Sequence, residues 1–169
     1  MDLEAIAPII EEIIKETLEE RRYPFGFAKF KGIGNKVASG KLRNSVSVEV
    51  RKNTQDRSVL QVMMADYAQY VQDGRLSNTK GVPIQSLMEW IRARKLKGRN
   101  KKGKFITDKS FAFAIQTNIK KYGIRASNFK DYALEKLLVD SRITQIFFDA
   151  GYETLEQGYE DLINSIEGI

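Results

Sequence analysis

Leu42-Arg43-Asn44-Ser45-Val46-Ser47-Val48-Glu49-Val50-Arg51-Lys52-Asn53 is followed, past a polar turn at 53–56, by Val59-Leu60-Gln61-Val62-Met63-Met64. Leu42, Val46, Val48 and Val50 fall on one face, with Ser45, Ser47, Glu49 and Arg51 between them. That alternation predicts a half-buried strand over 42–53. The second run predicts another strand, and the two pair as an antiparallel hairpin. Every longer periodic stretch of the chain reads as helix. The fold class expected is therefore α+β, a small antiparallel sheet packed with α-helices, with long helical N- and C-terminal segments.

Upstream, Ile6, Ile9, Ile10, Ile13, Ile14 and Leu18 recur at three- and four-residue spacing, which predicts an amphipathic helix over 2–21. Residues 22–40 are broken by Pro24, Gly26, Gly32, Gly34 and Gly40. Tyr23, Phe25, Phe27 and Phe30 lie there among Lys29 and Lys31, a mixture that either stacks on single-stranded bases or anchors a loop. Gly32-Ile33-Gly34 is too sparse for a phosphate loop, having no strand before it and no Gly-Lys-Ser/Thr after it.

Downstream, Asp66–Gln72 reads as a short helix or turn closed by Asp73-Gly74. Pro83 opens a helix that runs to about Leu96, whose apolar face is Ile84, Leu87, Met88 and Ile91, with Trp90 a further candidate. A basic loop, Lys97–Lys104, follows and is expected to be mobile without a partner. Thr107 or Asp108 caps the next helix, with its stripe on Phe111, Ala114, Ile115, Ile119 and Tyr122, and Gly123 ends it. Ser127 or Asn128 caps a last long helix that Gly151 breaks or bends before it continues to the end. The domain organisation expected is an amphipathic helix at 1–22, an α+β core at 23–140 with an inserted helix and basic loop at 76–107, and an acidic helical extension at 141–169.

The 169 residues are 42% apolar and 30% charged, enough to bury a core. Cysteine and histidine are both absent, which excludes disulfides, Cys/His zinc sites, a cysteine nucleophile and any Ser-His-Asp triad. No apolar run suffices for a membrane span, and the acidic Met1-Asp2-Leu3-Glu4 start argues against a secretory or transit signal. For carboxylate metal chemistry of a nuclease, the nearest pieces are Glu49 and Asp66, but Arg51 stands where a lysine is wanted and Glu49 alternates to the polar face. No catalytic residue, metal site or cofactor is expected.

Charge is segregated. The net value is +6, yet residues 1–20 hold seven acids and one base, and residues 149–169 hold six acids and no base. Residues 21–148 carry 27 bases against nine acids, or +18. Eight of those bases, Arg92, Arg94, Lys95, Lys97, Arg99, Lys101, Lys102 and Lys104, fall within thirteen residues that contain no acid. Such a cluster either neutralises nucleic-acid phosphates or docks on the acidic helices of a neighbouring copy.

Three phrases occur in order. Ser39-Gly40-Lys41-Leu42-Arg43-Asn44-Ser45-Val46 leads into the first strand. Tyr67-Ala68-Gln69-Tyr70-Val71-Gln72-Asp73-Gly74 follows the second, and Tyr122-Gly123-Ile124-Arg125-Ala126 ends a helix ahead of Phe129. Their order over about residues 37–140 resembles the tail-completion, or head–tail joining, proteins of bacteriophages, and residues 66–135 look especially like the crAss-like phage variety. Gln72, Arg75 and Ala126 depart from that family's usual Glu, Thr and Pro. Ser39, Gly40, Leu42, Ser45, Tyr67, Ala68, Tyr70, Val71, Gly74, Gly123 and Phe129 match its pattern. On the residues' own physics, Tyr67, Tyr70 and Val71 are expected to pack under the sheet, and Gly40 and Gly74 to mark sharp turns.

The resemblance implies a non-enzymatic virion protein of the neck. It implies a homo-oligomeric ring of six or twelve copies, with twelve favoured, around a channel for double-stranded DNA, joining portal-side to tail-side proteins, with assembly in the host cytoplasm and no membrane partner. A closed ring needs two different patches per subunit, and the acidic ends and basic middle supply opposite signs. The alternative is a soluble basic nucleic-acid-binding protein.

Overall fold

A computed structural model describes residues 1–21, 23–25, 32–52 and 57–167. In chain order these form α1 (Leu3–Glu20), β1 (Tyr23–Phe25), β2 (Gly32–Gly34), α2 (Lys41–Ser45), β3 (Ser47–Lys52), β4 (Ser58–Met63), α3 (Ala68–Asp73), α4 (Ile84–Ala93), α5 (Asp108–Tyr122), α6 (Phe129–Leu137), α7 (Ser141–Asp149), α8 (Leu155–Ser165) and β5 (Ile166–Glu167). The class is α+β. The turn at 53–56, and Phe27, Lys29, Phe30 and Lys31 of the aromatic–basic stretch, lie outside the described residues.

The chain divides into two compact units that cut across the segments 1–22, 23–140 and 141–169. Unit 1 gathers Met1–Arg21, Leu42–Asp66 and Asn128–Ile169, and unit 2 gathers Arg22–Lys41 and Tyr67–Ser127.

Unit 1 is built on the expected hairpin, with Val48 opposite Val62 and Val50 opposite Leu60. Its strand starts later than the alternation suggests. Leu42 is buried on α2, a one-turn helix, and the strand begins only at Ser47. The Ser45 hydroxyl makes that switch, donating to the Leu42 carbonyl (2.8 Å) and accepting from the Ala65 N–H beyond β4 (2.9 Å). A parallel strand, β5, joins β4 with Leu60 opposite Ile166, where the sequence pattern continues a helix instead.

α1 lies against β3, β4, α6 and α7. Its stripe, Ile6, Ile10, Ile13, Ile14 and Leu18, is almost wholly buried, and the Asp2 side chain caps it by accepting from the Ala5 N–H at 3.1 Å. The expected last long helix is three helices. Asp140 accepts from the Arg142 N–H (2.9 Å) and starts α7, while Gly151 (φ +82°) and the Thr154 cap separate α7 from α8. Phe129, Ala133, Leu137, Ile143, Phe147 and Leu162 of these helices complete the core.

β3 is an outer strand, and Glu11 of α1 covers its free edge by accepting from the Val48 N–H at 3.3 Å. The hydrogen bond from Lys15, and secondarily the one from Val48, hold the Glu11 carboxyl below its ordinary range against the cost of burial. A carboxylate depressed in the fold stabilises it above its unfolded pKa, and that contribution disappears as pH falls through the folded value. Glu11→Gln is therefore expected to flatten the acid limb of a stability-versus-pH curve measured by urea denaturation. A limb with wild-type slope would show that Glu11 carries none of it.

Unit 2 contains an antiparallel ladder, Tyr23 opposite Gly34 and Phe25 opposite Gly32, so that, contrary to expectation, a short strand does precede Gly32–Gly34 and those three residues pair with it; the unit also has a helical core. Leu87 and Ile91 of α4 meet Ala112 and Ile119 of α5, with Val82, Met88, Leu96, Phe111, Ile115 and Ile124 packed around them. Thr107 caps α5 by accepting from the Ser110 N–H at 3.2 Å, as its position predicts. Pro83 sits one residue earlier than expected, at the cap position ahead of Ile84.

Candidate functional site

The second and third phrases of the sequence come together in unit 2. Arg75 and Ile124 form an antiparallel bridge, with Arg75 N–H donating to the Ile124 carbonyl (2.9 Å) and Ile124 N–H to the Arg75 carbonyl (2.8 Å). A glycine precedes each partner. Gly74 (φ +72°) and Gly123 (φ +71°) end α3 and α5 in a backbone conformation that side chains rarely adopt. A Cβ on Gly74 would stand 2.3 Å from the Ile124 carbonyl oxygen, and one on Gly123 would stand 2.2 Å from that of Arg75. Ser127, almost wholly buried, closes the junction. Its N–H donates to the Gln72 carbonyl (2.9 Å) and its hydroxyl to the Val71 carbonyl (2.6 Å), satisfying the last turn of α3.

Ala68 is buried and Val71 half-buried on α3, but Tyr67 and Tyr70 are not under a sheet. They are 42% and 59% exposed, because α3 is too short to bury two faces, and the Arg75 guanidinium lies over the Tyr70 ring at 5.1 Å. Leu76, next to the bridge, is 80% exposed. Of the remaining phrase residues, Ser39 makes a long contact to the Lys41 N–H (3.5 Å), Gly40 turns with φ +77°, and Phe129 is fully buried in unit 1. Asn128 precedes α6 in a left-handed conformation and makes no side-chain cap.

The basic segment divides into two parts. Arg92 pairs with Asp108 (3.5 Å), and Arg94 donates to the Asn35 carbonyl (2.9 Å). Close by, Lys36 is pushed below the ordinary lysine range by burial and then by the Arg94 charge. Lys95 takes φ +53° at the end of α4. The rest is a tight hairpin rather than a loose loop. Ile106 N–H donates to the Gly98 carbonyl (3.0 Å), Arg99 bridges Phe105, and the Asn100 side-chain oxygen accepts from both the Lys102 and Lys104 N–H groups (3.0 Å each). Gly98 lets the hairpin lie on Phe111, since a Cβ there would come within 2.5 Å of the ring. The signal for this turn was present as Asn100 and Gly103 (φ +78°), but the run of lysines conceals it.

Lys95, Lys97, Lys101, Lys102 and Lys104 are exposed and make no ion pair among the described residues. The acids behave differently at the two ends. On α1, Glu11, Glu12, Glu16 and Glu19 pair with Lys15, Arg142, Lys136 and Arg43 inside unit 1. On α8, Glu156, Glu160 and Ile163 form an exposed stripe at four- and three-residue spacing, and Glu156 and Glu160 have no ion-pair partner among the described residues. Glu49 and Arg51 pair with each other at the surface (2.8 Å). Among the described residues no three acidic side chains converge as metal ligands, and no helix is long and apolar enough to cross a membrane. Comparison with protein-family models, curated proteins and solved structures found no match to the chain.

Proposed function

We propose that this chain is a structural virion protein, many copies of which form a ring in the neck of a bacteriophage around the DNA channel, between portal-side and tail-side proteins. The observation that carries the reading is the meeting of two of the three ordered phrases, Tyr67–Gly74 and Tyr122–Ala126, at one glycine-flanked bridge in unit 2. A closed ring is made of head-to-tail contacts, which require two unlike patches on every copy, and the exposed Glu156/Glu160 stripe of α8, without an ion-pair partner among the described residues, is a candidate for one of them. The order of the three phrases along the chain supports the same reading. In a protein of this kind the residues that fix the fold are the functional ones, since the product is an assembly.

Quantitative peptide mass spectrometry of purified virions, scaled to the portal protein, tests it. The expected result is a fixed ratio to a twelve-copy portal, near one for twelve copies or one-half for six. Absence from virions, with abundance in the infected cell, overturns the ring and leaves a soluble nucleic-acid-binding protein.

A further inference from the structure

We infer that the 98–106 hairpin is a binding site for duplex DNA that engages the phosphate backbone and does not read base sequence. The inference stands on the hairpin and not on the ring. The lysines at 101, 102 and 104 surround a turn whose backbone is already fixed by the two hydrogen bonds to the Asn100 side chain, by Asn100 N–H to the Lys104 carbonyl (2.8 Å) and by Gly103 N–H to the Asn100 carbonyl (2.9 Å). Pre-ordering of this kind lowers the entropy lost on binding.

The two side chains of the hairpin that are suited to bidentate base contacts are both engaged internally. Asn100 holds the turn through its carbonyl oxygen. Arg99 donates to the Gly103 carbonyl (3.1 Å) and lies over the Phe105 ring at 4.1 Å. What faces outward is lysine, a flexible point charge suited to phosphate and poor at discriminating bases. Phe105 is 64% exposed, with the Arg99 guanidinium against its ring. The exposed remainder offers an apolar contact for sugar edges between the phosphates.

The test is fluorescence anisotropy of the full chain on two short duplexes of unrelated sequence, from about 50 to about 200 mM salt. Binding is expected to be equal for both sequences and to weaken linearly on a log–log plot against salt. The K101S/K102S/K104S variant should reduce the magnitude of that slope by about 2.7, three phosphate contacts at ~0.9 each. Phe105→Ala should weaken binding at every salt concentration without changing the slope. All three lysines are exposed, and an unchanged thermal midpoint verifies that the variant is folded.

The inference is overturned by no binding at about 50 mM salt, by an unaltered slope in the triple variant, or by a preference above about tenfold between sequences. If duplex fails to bind and sedimentation shows self-association at low salt that the triple variant abolishes, the occupant is the α8 stripe of a second copy and this proposal falls. Duplex binding by a chain absent from virions removes the ring and leaves this site standing.

Discussion

Gly74→Ala is expected to lower unfolding stability by about 3–5 kcal/mol, a large part of the ~5–15 kcal/mol available to an ordinary domain. Two effects add. The backbone at Gly74 (φ +72°, ψ −153°) lies in a region that is essentially glycine-only, at a cost of about 1–3 kcal/mol for any other residue. The new Cβ would also stand 2.3 Å from the Ile124 carbonyl oxygen and 2.6 Å from the Ala126 nitrogen, so the two bridge hydrogen bonds must part. Backbone atoms cannot step aside as a flexible side chain can. Gly123→Ala should behave alike, against the Arg75 carbonyl at 2.2 Å. Gly103→Ala separates the two effects, because its φ of +78° is similar but nothing lies within 4 Å of its would-be Cβ. It should cost about 1–2 kcal/mol, the conformational part alone. Urea denaturation of the three variants decides the matter: equal losses would mean that the close approach contributes nothing.

Phe147→Ala is expected to cost about 3–5 kcal/mol by the loss of a fully buried ring and the cavity it leaves. Phe147 is 0% exposed and meets Tyr159 edge-on at 4.9 Å and Tyr152 tilted at 5.7 Å. Gly158 of α8 lies so close that a Cβ would come within 2.5 Å of the Phe147 ring. Gly158→Ala should therefore destabilise by about 1–3 kcal/mol through overpacking. The two sites are coupled. Phe147→Leu frees the space that the methyl needs, so F147L/G158A should lose less than the sum of its single variants. Strict additivity in denaturation midpoints would show that α7 and α8 do not share this contact.

How far the fold was legible depended on whether a signal was local. Ile6 to Leu18 announced α1 because five isoleucines and a leucine at helical spacing have no other economical arrangement. Val48 against Val62 followed from two short alternating runs. β5 was not legible, since Ile166 pairs with Leu60 across a hundred intervening residues and continues the preceding helical stripe. The break at Leu138–Asp140 was hidden for a similar reason: apolar spacing runs through it, and only Asp140-Ser141 marks a new cap. Tyr67 and Tyr70 show the limit of reading aromatics as core, because a six-residue helix buries only Ala68 and Gln72.

The candidate site was legible in composition but not in form. Eight bases in thirteen residues are plain in the sequence. That Asn100 would use its carbonyl oxygen to order three of the lysines into a turn depends on geometry that the charge run obscures. The segregation of charge was likewise readable. The internal pairing of the α1 acids was not, because Lys136 and Arg142 are far from them in sequence.

The interleaving of the two units has a consequence for synthesis on the ribosome. Every stretch of unit 2 has been made once Ser127 is added, whereas unit 1 still lacks α6, α7, α8 and the β5 partner of β4. Its first helix and its hairpin, Ile6 to Leu18 and Val48 to Val62, therefore emerge with their apolar faces uncovered and must wait for segments translated last. Domains generally fold as units in the order in which they become complete, and exposed strand edges are vulnerable during the delay. Nascent chains stalled late enough for Ser127 to have left the ribosomal exit tunnel, but before α8 has emerged, should thus carry a folded helical core around Leu87 and Ile119 and an unfinished unit 1.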